Sequence, residues 1–153
     1  MSLRRKLPGL KLCTEAMGAR EQGTEVREQK RQGNEMIESF RDLKVYQRAY
    51  TISLRVHEIS LKLPELEKHE LGSQIRRASK SIAMNIAEGY ARNSSLQDFR
   101  RFLIMALGSC EEVRVQIDYL KDLKYIPEKT HSELEQEYIE IGKMLVAMIN
   151  KWK

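Results

Sequence analysis

An all-α fold is what this sequence predicts, an antiparallel up-down-up-down four-helix bundle with a poorly ordered N-terminal arm, and three observations carry it. Hydrophobic residues make up 41% of the chain and aromatic residues only 7%, a balance that favours helices packed by aliphatic side chains over sheets built from aromatic and β-branched ones. From Phe40 onward apolar residues recur at alternating spacings of three and four, the seam of a bundle, and strand-like alternation is absent. Pro64 and Pro127 fall where one helix should stop and another begin. At 153 residues the chain is long enough for one domain with a real core and too short for two.

Residues 1–37, with LRRKLPGLKL followed by AREQGTEVREQKRQGNE, have scattered glycine and almost no apolar periodicity, so they read as a flexible basic and polar arm. The compact domain, 38–153, is expected to start close to Met36, where the periodicity sets in. Its first helix, about 40–62, has the seam Val45, Ala49, Ile52, Val56 and Ile59 and is stopped by Pro64. The second, about 70–91, runs Leu71, Ile75, Ala78, Ile82, Asn85 and Gly89. The third, about 95–123, opens at an N-cap on Ser94 or Ser95 with Asp98 in its first turn, and its seam is Phe99, Leu103, Ala106, Cys110, Val113, Ile117 and Leu120. The fourth follows Pro127 with Leu134, Tyr138, Ile141, Leu145, Met148 and Trp152. Short connections at about 63–69, 92–94 and 124–127 make neighbouring helices antiparallel.

The net charge is only +5, so its distribution matters more than its sum. Arg76, Arg77, Lys80, Arg92, Arg100 and Arg101 stand against Glu88 and Asp98 between residues 72 and 101, and these six cations are the candidate nucleic-acid-binding residues. They suit sequence-independent contact with phosphate, since no helix-turn-helix, zinc finger or aromatic stacking platform is evident in the sequence. On a helical projection Ala83, Met84 and Ala87 fall on the outer side of the second helix and form an apolar strip, the candidate oligomer interface. Gly108 and Ser109 in mid-helix imply close approach of another helix or a bend, since glycine there costs about 1 kcal/mol relative to alanine. Three polar residues are assigned structural roles. Asn85, in the seam, should hydrogen-bond across the core; Glu88 should pair with Arg92 at i, i+4; and Glu112 should bridge to Arg77, because residues of the second and third helices whose numbers sum to about 186 lie level.

The stretch RRASKSIAMNIAEG (76–89), with Arg92, Phe99, Phe102, Leu103, Ala106, Gly108, Ser109 and Glu112, resembles the four-helix-bundle proteins encoded in intervening sequences of bacterial large-subunit ribosomal RNA genes. FRDLKVYQRA (40–49) is similar to their first helix, although Tyr46 stands where many members carry Trp. The family motif falls on Gln74, Arg77, Ala78, Ser81, Ile82, Asn85, Ile86, Ala87, Glu88 and Gly89. The likeness is strong over about 38–126, rests on pattern alone in the fourth helix, and does not reach the first 35 or so residues. The sequence is also similar to the accessory proteins of diversity-generating retroelements. What the resemblance implies is a homopentamer without enzymatic activity, with basic surfaces suited to RNA, DNA, a ribonucleoprotein or a reverse transcriptase.

The residues themselves give little support to catalysis. Phosphate-loop, dinucleotide and nucleophile-elbow motifs are missing. A di-iron bundle needs two Glu-x-x-His motifs, and the one copy, Glu128 to His131, is expected at the solvent-facing start of the fourth helix. No catalytic residue, metal site or cofactor is therefore expected. Cys13 and Cys110 are far apart and belong to no metal-like cluster, and no apolar run approaches membrane-spanning length. The expectation is a soluble cytoplasmic protein that does not enter membranes and works as a self-assembling nucleic-acid binder or, alternatively, as a protein scaffold or reverse-transcriptase accessory subunit with no direct nucleic-acid contact.

Overall fold

The computed structural model describes residues 37–92 and 95–151. Most of the expected arm, residues 1–36, lies outside the described residues, as do the alternative N-cap Ser94 and the seam residue Trp152. A single 3-10 turn at Phe40–Asp42 leads into α1 (Lys44–Ser60), followed by α2 (Glu65–His69), α3 (Leu71–Ala91), α4 (Leu96–Asp122) and α5 (Glu128–Lys151). The described residues contain no strand.

The helix limits follow local chemistry. Ser95 caps α4, its hydroxyl accepting from the Asp98 backbone N–H at 3.0 Å. At the other end Lys124 adopts φ 64°, and the N–H groups of Tyr125 and Ile126 donate back to the Leu120 carbonyl at 2.8 and 3.2 Å. That is the left-handed closure usually given to glycine. α1 ends at Ser60, before the proline expected to stop it, and the Ser60 hydroxyl donates to the His57 carbonyl at 2.7 Å. The connection between the first two bundle helices is not bare loop, because it contains α2. With Glu65 and Glu67 in its first turn and Lys68 and His69 in its last, its charges complement the peptide dipoles; five residues are too few to show a period.

Cross-helix contacts establish the antiparallel order. Ser60 meets Arg76 between α1 and α3, Ser81 meets Ser109 between α3 and α4, and both Arg114–Glu135 and Asp118–His131 join α4 to α5. Arg48–Glu137 and Arg55–Glu133 close the ring from α1 to α5. In the α4–α5 and α1–α5 pairs one number rises as the other falls.

Most of the predicted seam forms the core, with Ile59, Leu71 and Asn85 only half-buried. Val45, Ala49, Ile52 and Val56 of α1, Ile75, Ala78 and Ile82 of α3, and Leu134, Tyr138, Ile141, Leu145 and Met148 of α5 are buried, as are all seven seam residues of α4. Gly89 has a packing reason. A methyl group there would stand 2.7 Å from Phe102 Cβ and 2.9 Å from Phe99 Cδ2, so only glycine lets the start of α4 lie this close to α3. The Cys110 thiol donates to the Tyr138 carbonyl at 3.3 Å, and burial pushes it up to about 12. Burial also raises the Tyr138 phenol.

Candidate nucleic-acid interface and assembly surface

On α3, Arg77, Lys80, Met84 and Glu88 recur at helical spacing and all are exposed, Met84 at 68%. Ala83 does not share their face, contrary to the projection. It is 6% exposed, because it borders the inner seam and its short side chain cannot reach past the neighbouring residues. Ala87 is half-buried. The expected three-residue strip thus contracts to Met84 with Ala87 at its margin.

The six candidate cations divide. Arg76 is an internal fastener: its guanidinium donates to the Ser60 hydroxyl at 3.1 Å and the Lys68 carbonyl at 2.9 Å, tying the ends of α1 and α2 to α3. Gly72 leaves room for it, since a Cβ there would lie 3.1 Å from Arg76 Nη1. Arg92 forms the expected i, i+4 pair with Glu88 at 2.9 Å and lies 5.7 Å from the Phe102 ring centroid. Arg77, Lys80, Arg100 and Arg101 make no ion pair among the described residues.

No Arg77–Glu112 bridge forms. The Ser81–Ser109 contact at 2.6 Å and the packing of Gly89 on Phe99 and Phe102 put the level sum near 190, one turn beyond the expected register; Arg77 and Glu112 are still level in it, so their failure to pair is not a matter of height along the hairpin. Glu112 instead accepts from Gln116 at 3.3 Å. Asn85 is half-buried and donates to the Ser81 carbonyl of its own helix at 2.8 Å, so it does not tie the core together. The same register separates the cations. Arg100 lies level with Tyr90, ten to thirteen residues along α3 from Lys80 and Arg77, or roughly 15–20 Å at about 1.5 Å per residue.

The fold also assembles something the sequence hides. At the end where α1 and α4 begin and α3 stops, the Phe40 ring meets Tyr46 edge-on at 4.8 Å and Tyr90 at 6.5 Å, and Tyr46 stacks beside Tyr50 at 6.0 Å. The Arg41 guanidinium lies 4.6 Å over Phe40. Tyr90 is forty residues beyond the nearest of the other three, so only the α1–α3 register brings the four rings together. The same ends of α1, α3, α4 and α5, with the turn before α1, carry Arg41, Lys44, Arg92, Arg100, Arg101, Lys143 and Lys151 against Asp42, Glu88, Asp98 and Glu140.

Exposed apolar side chains are distributed unevenly. α1 shows Tyr50 and Leu54, α3 Met84, and α4 Leu96, Ile104, Met105, Val115 and Tyr119; α5 shows only Val146 among its described large hydrophobic residues. Gly108 has nothing within 4 Å of where a Cβ would be, so the close helix approach expected there does not occur within the protomer.

The Glu-x-x-His motif sits differently from expectation. His131 is buried, not solvent-facing, with Nε2 2.7 Å from Asp118 Oδ1 and Nδ1 3.9 Å from Glu128 Oε1. The described residues hold no group of three His, Cys, Asp or Glu side chains placed to share a metal. None of the described helices is long and apolar enough to cross a membrane.

A family model described as 23S rRNA-intervening sequence protein matches residues 41–147. The chain belongs to that family. A crystal structure from the S23 ribosomal protein family of Bacteroides thetaiotaomicron VPI-5482, described as a protein with unknown function, is similar to this bundle with a TM-score of 0.64 and 25% sequence identity. The match covers 69% of this chain and 95% of that one. No curated protein matches the chain significantly.

Proposed function

We propose that this member of the 23S rRNA-intervening sequence protein family is a non-enzymatic homo-oligomer, a pentamer, that binds nucleic acid or a nucleoprotein partner through basic surfaces. The reading is supported by one juxtaposition: cations without acid partners among the described residues, Arg77, Lys80 and Arg101, stand beside exposed apolar side chains on α3 and α4. Apolar faces drive association, and association sums weak cationic spots into a larger field. RNA and DNA are both within reach of backbone contacts, which carry no base sequence. Light scattering should give a mass several times that of the protomer, and binding of a labelled oligonucleotide should weaken steeply with salt. A monomeric mass together with salt-independent binding overturns the proposal.

The second reading is a scaffold or reverse-transcriptase accessory subunit that meets only protein, and the spread of exposed apolar residues over α1, α3 and α4 favours it. A pull-down with and without nuclease separates the two. Partners lost on nuclease treatment support nucleic-acid binding; partners retained in full support the scaffold.

A further inference from the structure

We propose that the aromatic end of the bundle binds unpaired bases, so that the nucleic acid held by this protein is single-stranded at the point of contact and Tyr50 is the ring on which a base stacks. The inference rests on the nucleic-acid reading above and adds to it a ligand class and a site. Backbone charge alone does not distinguish single strands from duplex, whereas an exposed aromatic face does, because only an unpaired base can lay its π-face on it. Tyr50 is 50% exposed and is backed on one side by Tyr46. Tyr46 is in turn braced edge-on by Phe40, which Tyr90 and the Arg41 guanidinium hold in place. The outer ring is therefore supported from below, and stacking a base on it costs little reorganisation. Lys44, exposed at the start of the same helix, adds positive charge at this end of the bundle for the flanking phosphates.

Fluorescence anisotropy of the full chain with a fluorescein-labelled oligouridylate, and with an RNA duplex of the same length, tests this at one salt concentration, with the mass of each variant measured alongside. Tyr50→Ala is expected to weaken single-strand binding by about 5- to 150-fold, the range for loss of one base–aromatic stack. It should leave duplex binding and mass unchanged, and Tyr50→Phe should bind as the parent does. Single-strand binding unaffected by Tyr50→Ala overturns the stacking site while leaving backbone binding intact. Affinity and mass falling together overturn it in favour of Tyr50 as a contact between copies. Failure of the parent to bind either RNA, or single- and double-stranded DNA of the same length, overturns the nucleic-acid reading itself.

Discussion

The outer faces of α4 and α5 make an instructive contrast. Both helices are long and amphipathic, and both contribute apolar seams that are almost wholly buried. Outside, they diverge. α5 pairs Glu133 with Arg55 and Glu137 with Arg48 across to α1, and Glu140 with Lys143 along itself. α4 presents Ile104, Met105, Val115 and Tyr119 to solvent around Gly108. One helix completes its interactions within the protomer and the other does not. Under the proposed assembly the contrast makes α4, rather than α5, the face on which a second molecule is expected.

The contrast can be broken most forcefully by charge. Val115→Glu on α4, or Met84→Glu on α3, should reduce the assembly to protomers in light scattering, since a carboxylate buried without a partner costs about 3–5 kcal/mol. Val146→Glu on α5 should leave the mass unchanged. Equal loss of mass in all three would erase the distinction between the faces.

Two glycines, Gly89 in the last turn of α3 and Gly108 in the middle of α4, sharpen it next. Gly89→Ala drives a methyl group into Phe99 and Phe102 and should lower stability to urea by about 1–3 kcal/mol with the m-value unchanged. Gly108→Ala meets no atom of its own protomer and should raise protomer stability by up to about 1 kcal/mol. A lower assembly mass for Gly108→Ala would mean that another copy packs against that glycine.

Smaller effects separate the cations. With Arg77, Lys80, Arg100 and Arg101 as the phosphate contacts, the log–log salt slope for single strands should be near −3 per protomer, and Arg101→Gln should reduce its size by about 0.7. Arg76→Gln should leave the slope alone and lower the melting temperature, because its partners are Ser60 and the Lys68 carbonyl.

The least effect concerns pH, and it belongs to the self-satisfied side of the molecule. Hydrogen bonding from Arg55 holds the Glu133 carboxyl below its usual value of 4.5, and Lys143 does the same for Glu140. A carboxyl depressed in the folded state contributes stability above its unfolded pKa and loses it as pH falls through the folded one. Melting temperature should therefore decline below about pH 4.5, and Glu133→Gln should flatten that decline slightly.

Much of the bundle was legible in the residue pattern. The seams of all four long helices, the Ser95 cap and the Glu88–Arg92 pair depend on spacing along a single helix, which the sequence displays directly. α2 was not legible, because five residues carry no periodicity. Ala83 was misplaced because a 100° projection shows direction and not how far neighbouring side chains extend over a small one. The Arg77–Glu112 bridge failed although the two residues lie level, because height along a hairpin does not fix which way two side chains reach; Arg76 was misassigned because its partners, Ser60 and the Lys68 carbonyl, belong to α1 and α2. The aromatic cluster was missed because Phe40 and Tyr90 lie on elements separate from α1, which carries Tyr46 and Tyr50.

By itself the sequence determined where the four long helices run and the seam that each turns inward, since a period of 3.6 residues and the cost of leaving aliphatic side chains in water act locally. Tertiary structure decided which cations stay available, which glycine is crowded, and which rings meet. Those outcomes depend on axial offsets between helices, and the offsets come from packing the whole set of seams at once.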